Sequence, residues 1–451
     1  MEGFKELQIE FNKFIKDPEK YPMHPSDLGN YLKGLRARDV EKFKNTLLKF
    51  PHETLGPVLL ELPEKLQNEA FAFLPHEKLA RATEGLESDD ATDLVQELVD
   101  ADESKGHEVI SKLEKDDREE INALRQYSEE QAGSIMQMEV FKASVDENIR
   151  KAISRLADEK EEGKLRNIYQ VFIVDKENVL VASAALSDLI TMNFNISFQD
   201  LVKGREFPDK YKVNEFNSIE DVVKLFEHYD LTYAPVVNSR GELLGRITSD
   251  DIFDEIQDLA TEQIYNLAGV DDEAEEENYL RVIFQKRASW LLLNLITAIF
   301  ASLVIAQFDE TLKAYIPLAI LMPIVASMGG NAGTQSLTVM VRQIALGDVV
   351  GSSAYSAIRK EIIISILNGL LFALIMGFIS YYWFSNKQLG FVIGFALIIN
   401  LLVAGLFGAL IPLVLKKMNS DPAVGSTVII TTLTDVVGFL SFLGLAKIML
   451  F

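Results

Sequence analysis

Apolar residues recur at three- and four-residue steps through the first 130 positions. The pattern holds over residues 25–35, 37–50, 55–66, 68–86 and 88–100, which predicts short amphipathic helices. Pro51, Pro63 and Pro75 punctuate them at intervals of 12. Helices this short cannot each bury a face alone, so they are expected to stack as an all-α helical-repeat domain over residues 1–130. One helix start is acidic, Ser88-Asp89-Asp90-Ala91-Thr92-Asp93. Ser88 is the expected cap there, and acids in a first turn suit the helix dipole.

The pattern changes over residues 131–255. Residues 171–190 read as two short β-branched strands, a turn and a helix start, and residues 234–253 repeat that order. A shift of 63 aligns Val174 with Val237, Leu180 with Leu243 and Asp188 with Asp251. This α/β repeat resembles a tandem pair of cystathionine-β-synthase (CBS) domains. In that family a Thr-x-x-Asp after the second strand can hold a nucleotide ribose. Thr248 and Asp251 match it, and in the first copy Ala185 replaces the Thr. The resemblance therefore implies a candidate adenine-nucleotide site in the second copy.

Residues 256–287 read as an acidic connecting helix and a hinge, with the acidic run 271–277 as a solvated turn before Lys286 and Arg287. Residues 288–451 then carry apolar runs at about 288–308, 314–340, 362–384, 390–415 and 424–451. Each is long enough for a bilayer core, which takes roughly 20 apolar residues. The expectation is an α-helical transmembrane domain of five spans at the end of a multidomain membrane protein. Under that count the cytosolic loops hold Lys286, Arg287, Arg342, Arg359, Lys360, Lys416 and Lys417, and the external loops hold Lys313 and Lys387. The positive-inside rule then places the N-terminal domains in the cytosol and the chain in the cytoplasmic membrane as a multi-pass protein. The first residues lack the basic and apolar regions of a signal peptide.

Charge sharpens the division. From residue 288 onward there are six acids and eight Lys or Arg, which leaves 61 acids and 36 bases in residues 1–287, a net of −25. Such a surface repels nucleic acid and attracts cations. With no cysteine, disulfides and thiolate chemistry are excluded. His24, His52, His76, His107 and His228 lack the paired spacing of a zinc site. The hard oxygen ligands that remain suit Mg²⁺ or Ca²⁺. No P-loop, nucleophile elbow or zinc triad is present, so an enzyme is not expected.

The last apolar run holds one carboxylate, Asp435. An aspartate at mid-membrane costs about 2.5–3.5 kcal/mol on insertion scales, so it is expected to face a polar cavity or a cation. Thr427, Thr431 and Asp435 are spaced i, i+4, i+8, with Thr434 and Gly438 beside them. The reading is a cation pore with Asp435 as its ion-attracting group. The second run adds Asn331, Thr334, Gln335 and Ser336, too polar for a lipid-facing helix, among glycines that permit close backbone approach.

Helical N-domain, CBS pair, acidic connecting helix and five spans, taken in this order, resemble the MgtE family of magnesium channels and transporters. The most specific residues are 323–336 (Pro-Ile-Val-Ala-Ser-Met-Gly-Gly-Asn-Ala-Gly-Thr-Gln-Ser), Asp421-Pro422-Ala423, and Thr434-Asp435. The resemblance implies a homodimer with the pore between two membrane halves and a hydrated Mg²⁺ held by Asp435 of each subunit. Thr427 stands where relatives have Asn, and Thr431 where they have Ala. The lining expected here is Thr427, Thr431, Thr434 and Asn331.

The same resemblance implies cytosolic Mg²⁺ sensor residues at Asp89, Asp93, Glu220, Asp230, Asp251, Asp254, Glu262 and Asp421. Leu259 and Gln263 stand where relatives can have acids, and Ser218 replaces another. The implied function is import of Mg²⁺, with acidic domains that draw together on internal Mg²⁺ and close the pore. The alternative is a secondary transporter exchanging Mg²⁺ for Na⁺ or H⁺.

Overall fold

The computed structural model describes residues 2–451 other than 164, 166, 204–208, 270–279, 350–352 and 419. The expected solvated run 271–277 lies outside the described residues. The chain divides into two compact units, Met1–Gln257 and Asp258–Phe451.

The first unit begins with helices α1 (Glu2–Phe14), α2 (Pro25–Arg36), α3 (Val40–Leu47), α4 (His52–Leu60), α5 (Glu64–Phe73), α6 (His76–Thr83), α7 (Ser88–Ala101), α8 (Glu103–Lys112) and α9 (Lys115–Leu124). The three prolines at 12-residue spacing are the N-cap residues of α4, α5 and α6. Each proline fixes an extended turn and lacks the N–H that a preceding helix would need. That is why 55–66 and 68–86, read as continuous helices, are each divided. The apolar stripes close on a shared core that includes Phe14, Phe43, Leu55, Leu59, Phe71 and Val95.

Ser88 departs from its expected role. It is the first residue of α7, and Glu87 holds the N-cap position with no side-chain cap bond. The Ser88 hydroxyl instead donates to Glu139 Oε2 at 2.8 Å and accepts from the Met138 N–H at 2.8 Å. It ties α7 to the segment leading into the α/β repeat.

That repeat is a duplication down to its irregularities. Strands β1 (Lys142–Ser144), β2 (Gln170–Val174) and β3 (Leu180–Ala185) form one sheet, and β4 (Val213–Asn214), β5 (Tyr233–Val237) and β6 (Leu243–Thr248) form another. In each, the first pair is parallel and the second antiparallel. Gln170 pairs with Ala185 and Tyr233 with Thr248, and the register shifts at Ile173/Val174 and at Val236/Val237. All these positions differ by the offset of 63. The copies join head to head: the Leu180 N–H donates to the Gly241 carbonyl and the Leu243 N–H to the Asn178 carbonyl, both at 2.9 Å. Phe172, Val174, Leu180, Val237 and Leu243 make the small core between them. Helices α10 (Ile149–Glu161), α11 (Leu186–Leu189), α12 (Phe198–Val202) and α13 (Ile219–Tyr229) complete the pair. The division between units falls inside α14 (Ser249–Ala268).

The second unit continues with α15 (Leu280–Ala306), α16 (Asp309–Ala314), α17 (Pro317–Ala345), α18 (Ser353–Phe384), α19 (Lys387–Lys417) and α20 (Ser426–Met449). Four of these, α15, α18, α19 and α20, are long and apolar enough to cross a membrane by length and composition. α17 is 29 residues long, but its glycines and polar residues dilute its hydropathy. α19 is the central element. Its Leu389, Val392, Ile393, Ala396, Leu397 and Leu401 pack with Leu318, Leu321 and Val325 of α17 and with Phe442, Leu443 and Ala446 of α20.

One polar residue sits in this seam. Asn400 of α19 is fully buried and its Nδ2 donates to the Val325 carbonyl at 2.8 Å. A Cβ on Gly329 would lie 2.2 Å from that nitrogen, and one on Gly438 would lie 2.7 Å from it. Small residues thus let three backbones close around one amide, a packing device suited to apolar surroundings.

Candidate cation-binding sites

In the first unit the acids of α7 meet the start of α14. Asp89 is only 6% exposed, and its Oδ1 has no hydrogen-bond partner among the described residues. Burial, then the charges of Asp251 and Asp90, hold its carboxyl well above the usual carboxylate range. Burial likewise raises Asp251 to about 6, against the pull of its bonds to Thr248. Asp90 and Asp93 lie at the exposed rim of α7.

Two residues that sequence reasoning missed hold the cluster together. Arg246 of β6 is 4% exposed, donates through Nε to Gln137 Oε1 at 3.0 Å, and lies 3.9 Å from Glu87 Oε1. Gln137 Nε2 in turn donates to Asp251 Oδ2 at 3.4 Å. Arg246 thus brings one positive charge against Glu87, in a cluster where Asp89, Asp90, Asp250 and Asp251 act on one another as like charges. Its single charge leaves a surplus of negative charge that a divalent cation, directly or through water, would neutralise. The unpartnered Asp89 oxygen fits such an ion. Among the described residues no three of His, Cys, Asp or Glu close around one point as a bare-ion cage.

Thr248 and Asp251 form one half of a capping box. The Thr248 N–H donates to Asp251 Oδ2 at 3.1 Å and its hydroxyl donates to the same oxygen at 2.8 Å. The hydroxyl also bonds Asp250. An acid at N3 reaching back to the N-cap is a local helix-start device, so the Thr-x-x-Asp spacing has a structural job here.

Other expected sensor residues stand apart. Asp254 is exposed, one turn beyond Asp251. Glu220 is exposed and pairs with Lys224 of its own helix at 3.2 Å. Asp230 caps the C-terminus of α13 in a left-handed conformation, φ 50°.

In the second unit the structure brings Glu262 and Asp421 to one side chain. Asn266 Nδ2 donates to Asp421 Oδ2 at 2.8 Å and lies 3.3 Å from Glu262 Oε1. Asn266 was not legible as a site residue, because a lone Asn in an amphipathic helix has no distinguishing pattern. One residue on, the Leu267 carbonyl accepts from the Thr427 hydroxyl at 2.7 Å. The last turn of α14 is thereby bonded at two points to the loop and first turn of α20.

Along α20 the expected stripe is partly corrected. Asp435 is half-buried, and its carboxylate has no hydrogen-bond or ion-pair partner among the described residues. The Thr431 hydroxyl donates to the Thr427 carbonyl at 2.9 Å, and its Cγ2 faces Gly330 of α17. Asn331 is exposed, next to Gly330. Thr434 does not share that face. It is fully buried and its hydroxyl is spent on the Ile430 and Thr431 carbonyls, both at 3.0 Å. A step of one residue turns a side chain by about 100°, enough to carry Thr434 from the stripe into the helix seam.

Three family models match the chain. The one described as the MgtE intracellular N domain covers residues 23–130, a CBS domain model covers 205–258, and the MgtE model, described as a divalent cation transporter, covers 322–445. The magnesium transporter MgtE of Enterococcus faecalis is 34% identical over 328 residues, 73% of this chain and 71% of the relative. That of Thermus thermophilus is 30% identical over 368 residues, 80% of this chain and 79% of the relative. Among solved structures, the cytosolic domain of the Mg²⁺ channel MgtE in complex with ATP is 26% identical, with a TM-score of 0.47 over 52% of this chain and 91% of that one. The chain belongs to the MgtE family of magnesium transporters.

Proposed function

We propose that this protein imports Mg²⁺ as a gated channel, with a homodimeric pore that includes Asp435 and with its acidic residues as the sensor that closes it. The observation that carries the gating part is the pair of bonds from Asn266 and Leu267 to Asp421 and Thr427. They couple the end of the acidic helix to the first turn of the helix that carries Asp435.

The chemistry follows from Mg²⁺ itself. It gives up water reluctantly and is held through one or two carboxylates. An unpartnered Asp435 on a threonine face offers one charge per subunit to a hydrated ion. Thr427, Thr431 and Asn331 are the lining we assign, without Thr434.

Regulation uses the other acids. Asp89 and Asp251, with Asp93 and Asp254 nearby in sequence, are the residues we assign to one set of regulatory ions. Glu262 and Asp421 are assigned to another, and Glu220 and Asp230 to a third. Without Mg²⁺ the like charges repel. Bound Mg²⁺ turns the repulsion into attraction and favours the closed arrangement, as differential affinity for two states requires. The CBS pair is also assigned an adenine nucleotide at Thr248 and Asp251, which a nucleotide titration at fixed Mg²⁺ tests.

The test is ion flux by purified protein in liposomes, with Mg²⁺, Ca²⁺, Co²⁺ and Na⁺ compared and internal Mg²⁺ varied. Mg²⁺ current that reverses at the Mg²⁺ potential and falls as internal Mg²⁺ rises supports this reading. Strict dependence on a counter-gradient of Na⁺ or H⁺ would replace the channel with an exchanger.

A further inference from the structure

A second carboxylate lies inside the helical unit, away from Asp435. Glu361 of α18 is 8% exposed and has no hydrogen-bond or ion-pair partner among the described residues. It lines a cavity of about 190 Å³ with Gln335 and Ser336 of α17 and with Ser365 and Asn368 of its own helix. The cavity has room for several waters or a partly hydrated ion.

Close packing builds its walls. A Cβ on Gly405 would lie 1.8 Å from Ser365 Oγ and 3.2 Å from the Glu361 carbonyl, and one on Gly408 would lie 2.8 Å from Ser336 Cβ. Two glycines of α19 thus let α17 and α18 seat these polar residues against it. Glu361, Ser336 and Ser365 are buried, Asn368 is half-buried and Gln335 is exposed at the cavity mouth, and none of the five has a hydrogen-bond partner among the described residues. An arrangement that serves packing alone would pair such groups with one another, because an unpaired buried polar group is costly.

We propose that this cavity binds one monovalent alkali cation, Na⁺ or K⁺, with Glu361 as its charged ligand. Charge balance selects the class. One buried carboxylate with no cationic partner calls for one compensating positive charge, whereas a divalent ion would leave the site net positive in a low-dielectric setting. The surrounding donors separate a metal ion from a proton. A proton needs one acceptor, while an alkali ion draws on several neutral oxygens, and here two amides and two hydroxyls line the same cavity as the carboxylate. The ion would join α17, which also carries Gly330 and Asn331 beside the α20 stripe, to α18. Its occupancy therefore bears on the stability of the helix seam and is separate from the Mg²⁺ pore.

Thermal unfolding of the full chain in lipid nanodiscs tests this, with Mg²⁺ chelated and NaCl or KCl replaced by choline chloride at constant ionic strength. The expected result is a saturable rise in Tm with the alkali ion, retained in Asp435→Asn and lost in Glu361→Gln. Equal Tm in choline and alkali salts, or an undiminished rise in Glu361→Gln, overturns the proposal. So does a Tm that responds only to acidification, which would make Glu361 a proton site, or only to Mg²⁺. If Glu361→Gln fails to assemble, Ser365→Ala serves instead. A severalfold increase in its half-saturating concentration supports the site, and an unchanged value contradicts it. Retention of the shift in Asp435→Asn separates this result from any failure of the pore reading.

Discussion

The Thr427 hydroxyl donates to the main-chain carbonyl of Leu267 at 2.7 Å. A side chain at the start of the Asp435 helix thereby holds the last turn of α14. A hydrogen bond of this kind contributes about 0.5–1.5 kcal/mol net. Thr427→Val keeps the shape and removes the donor. The inhibiting concentration of internal Mg²⁺ should rise about two- to tenfold, as read by patch recording with stepped internal Mg²⁺ and with each current normalised to the variant's own maximum. Unchanged inhibition would show that this bond takes no part in closure.

The acids of the first unit predict a pH dependence with a definite sign. Asp251 stands at about 6 in the folded chain, against about 3.9 for an unperturbed aspartate. Between those values the folded state binds the extra proton, so stability falls as pH rises through this window and is lowest above it. Residues 1–257 without divalent ions should therefore melt at a higher temperature at pH 5 than at pH 7.5. Saturating Mg²⁺ should stabilise them more at pH 7.5 than at pH 5, since ion and proton compete for the same oxygens. Asp89→Asn should raise the Mg²⁺-free Tm and shrink the Mg²⁺ effect. Calorimetry across that pH range checks all three, and a Tm that rises with pH would contradict the assignment.

Neutralising both Asp251 and Asp254 should remove Mg²⁺ control and leave the pore. Asp251→Ala with Asp254→Ala is expected to conduct with weakened inhibition at high internal Mg²⁺. Because Asp254 is exposed and Asp251 lies within the cluster, Asp251→Ala alone should carry most of the effect. Equal contributions from the two single variants in the same recordings would count against this placement.

Much of this architecture was legible in order and kind. The helical first domain, the 63-residue repeat and the long apolar helices follow from local periodicity, which one sequence displays. The details that escaped depend on contacts across the chain. Gln137 meets Arg246 and Asn266 meets Asp421 only after folding, and nothing near them in sequence signals it. The local position of Ser88 suits a cap, yet its hydroxyl is drawn to Glu139. Neighbourhood in sequence puts Thr434 beside the stripe, but a turn of one residue buries it.

The Asn400 seam predicts a stability defect without a change of charge. Gly329→Ala would set a methyl against the Asn400 amide, 2.2 Å from its nitrogen. Overpacking of this kind costs about 1–3 kcal/mol. The yield of folded protein and its Tm in detergent should fall, and Gly330→Ala should be milder, since among the described residues only Thr431 lies near it, at 3.7 Å. Equal tolerance of both variants would contradict the packing described.

Asp435 is the group proposed to attract the transported ion. Mg²⁺ uptake into proteoliposomes by wild type and by Asp435→Ala, each verified as folded and of the same oligomeric state, tests it directly. Asp435→Ala should abolish or strongly reduce uptake, whereas uptake by that variant at the wild-type rate would contradict this role.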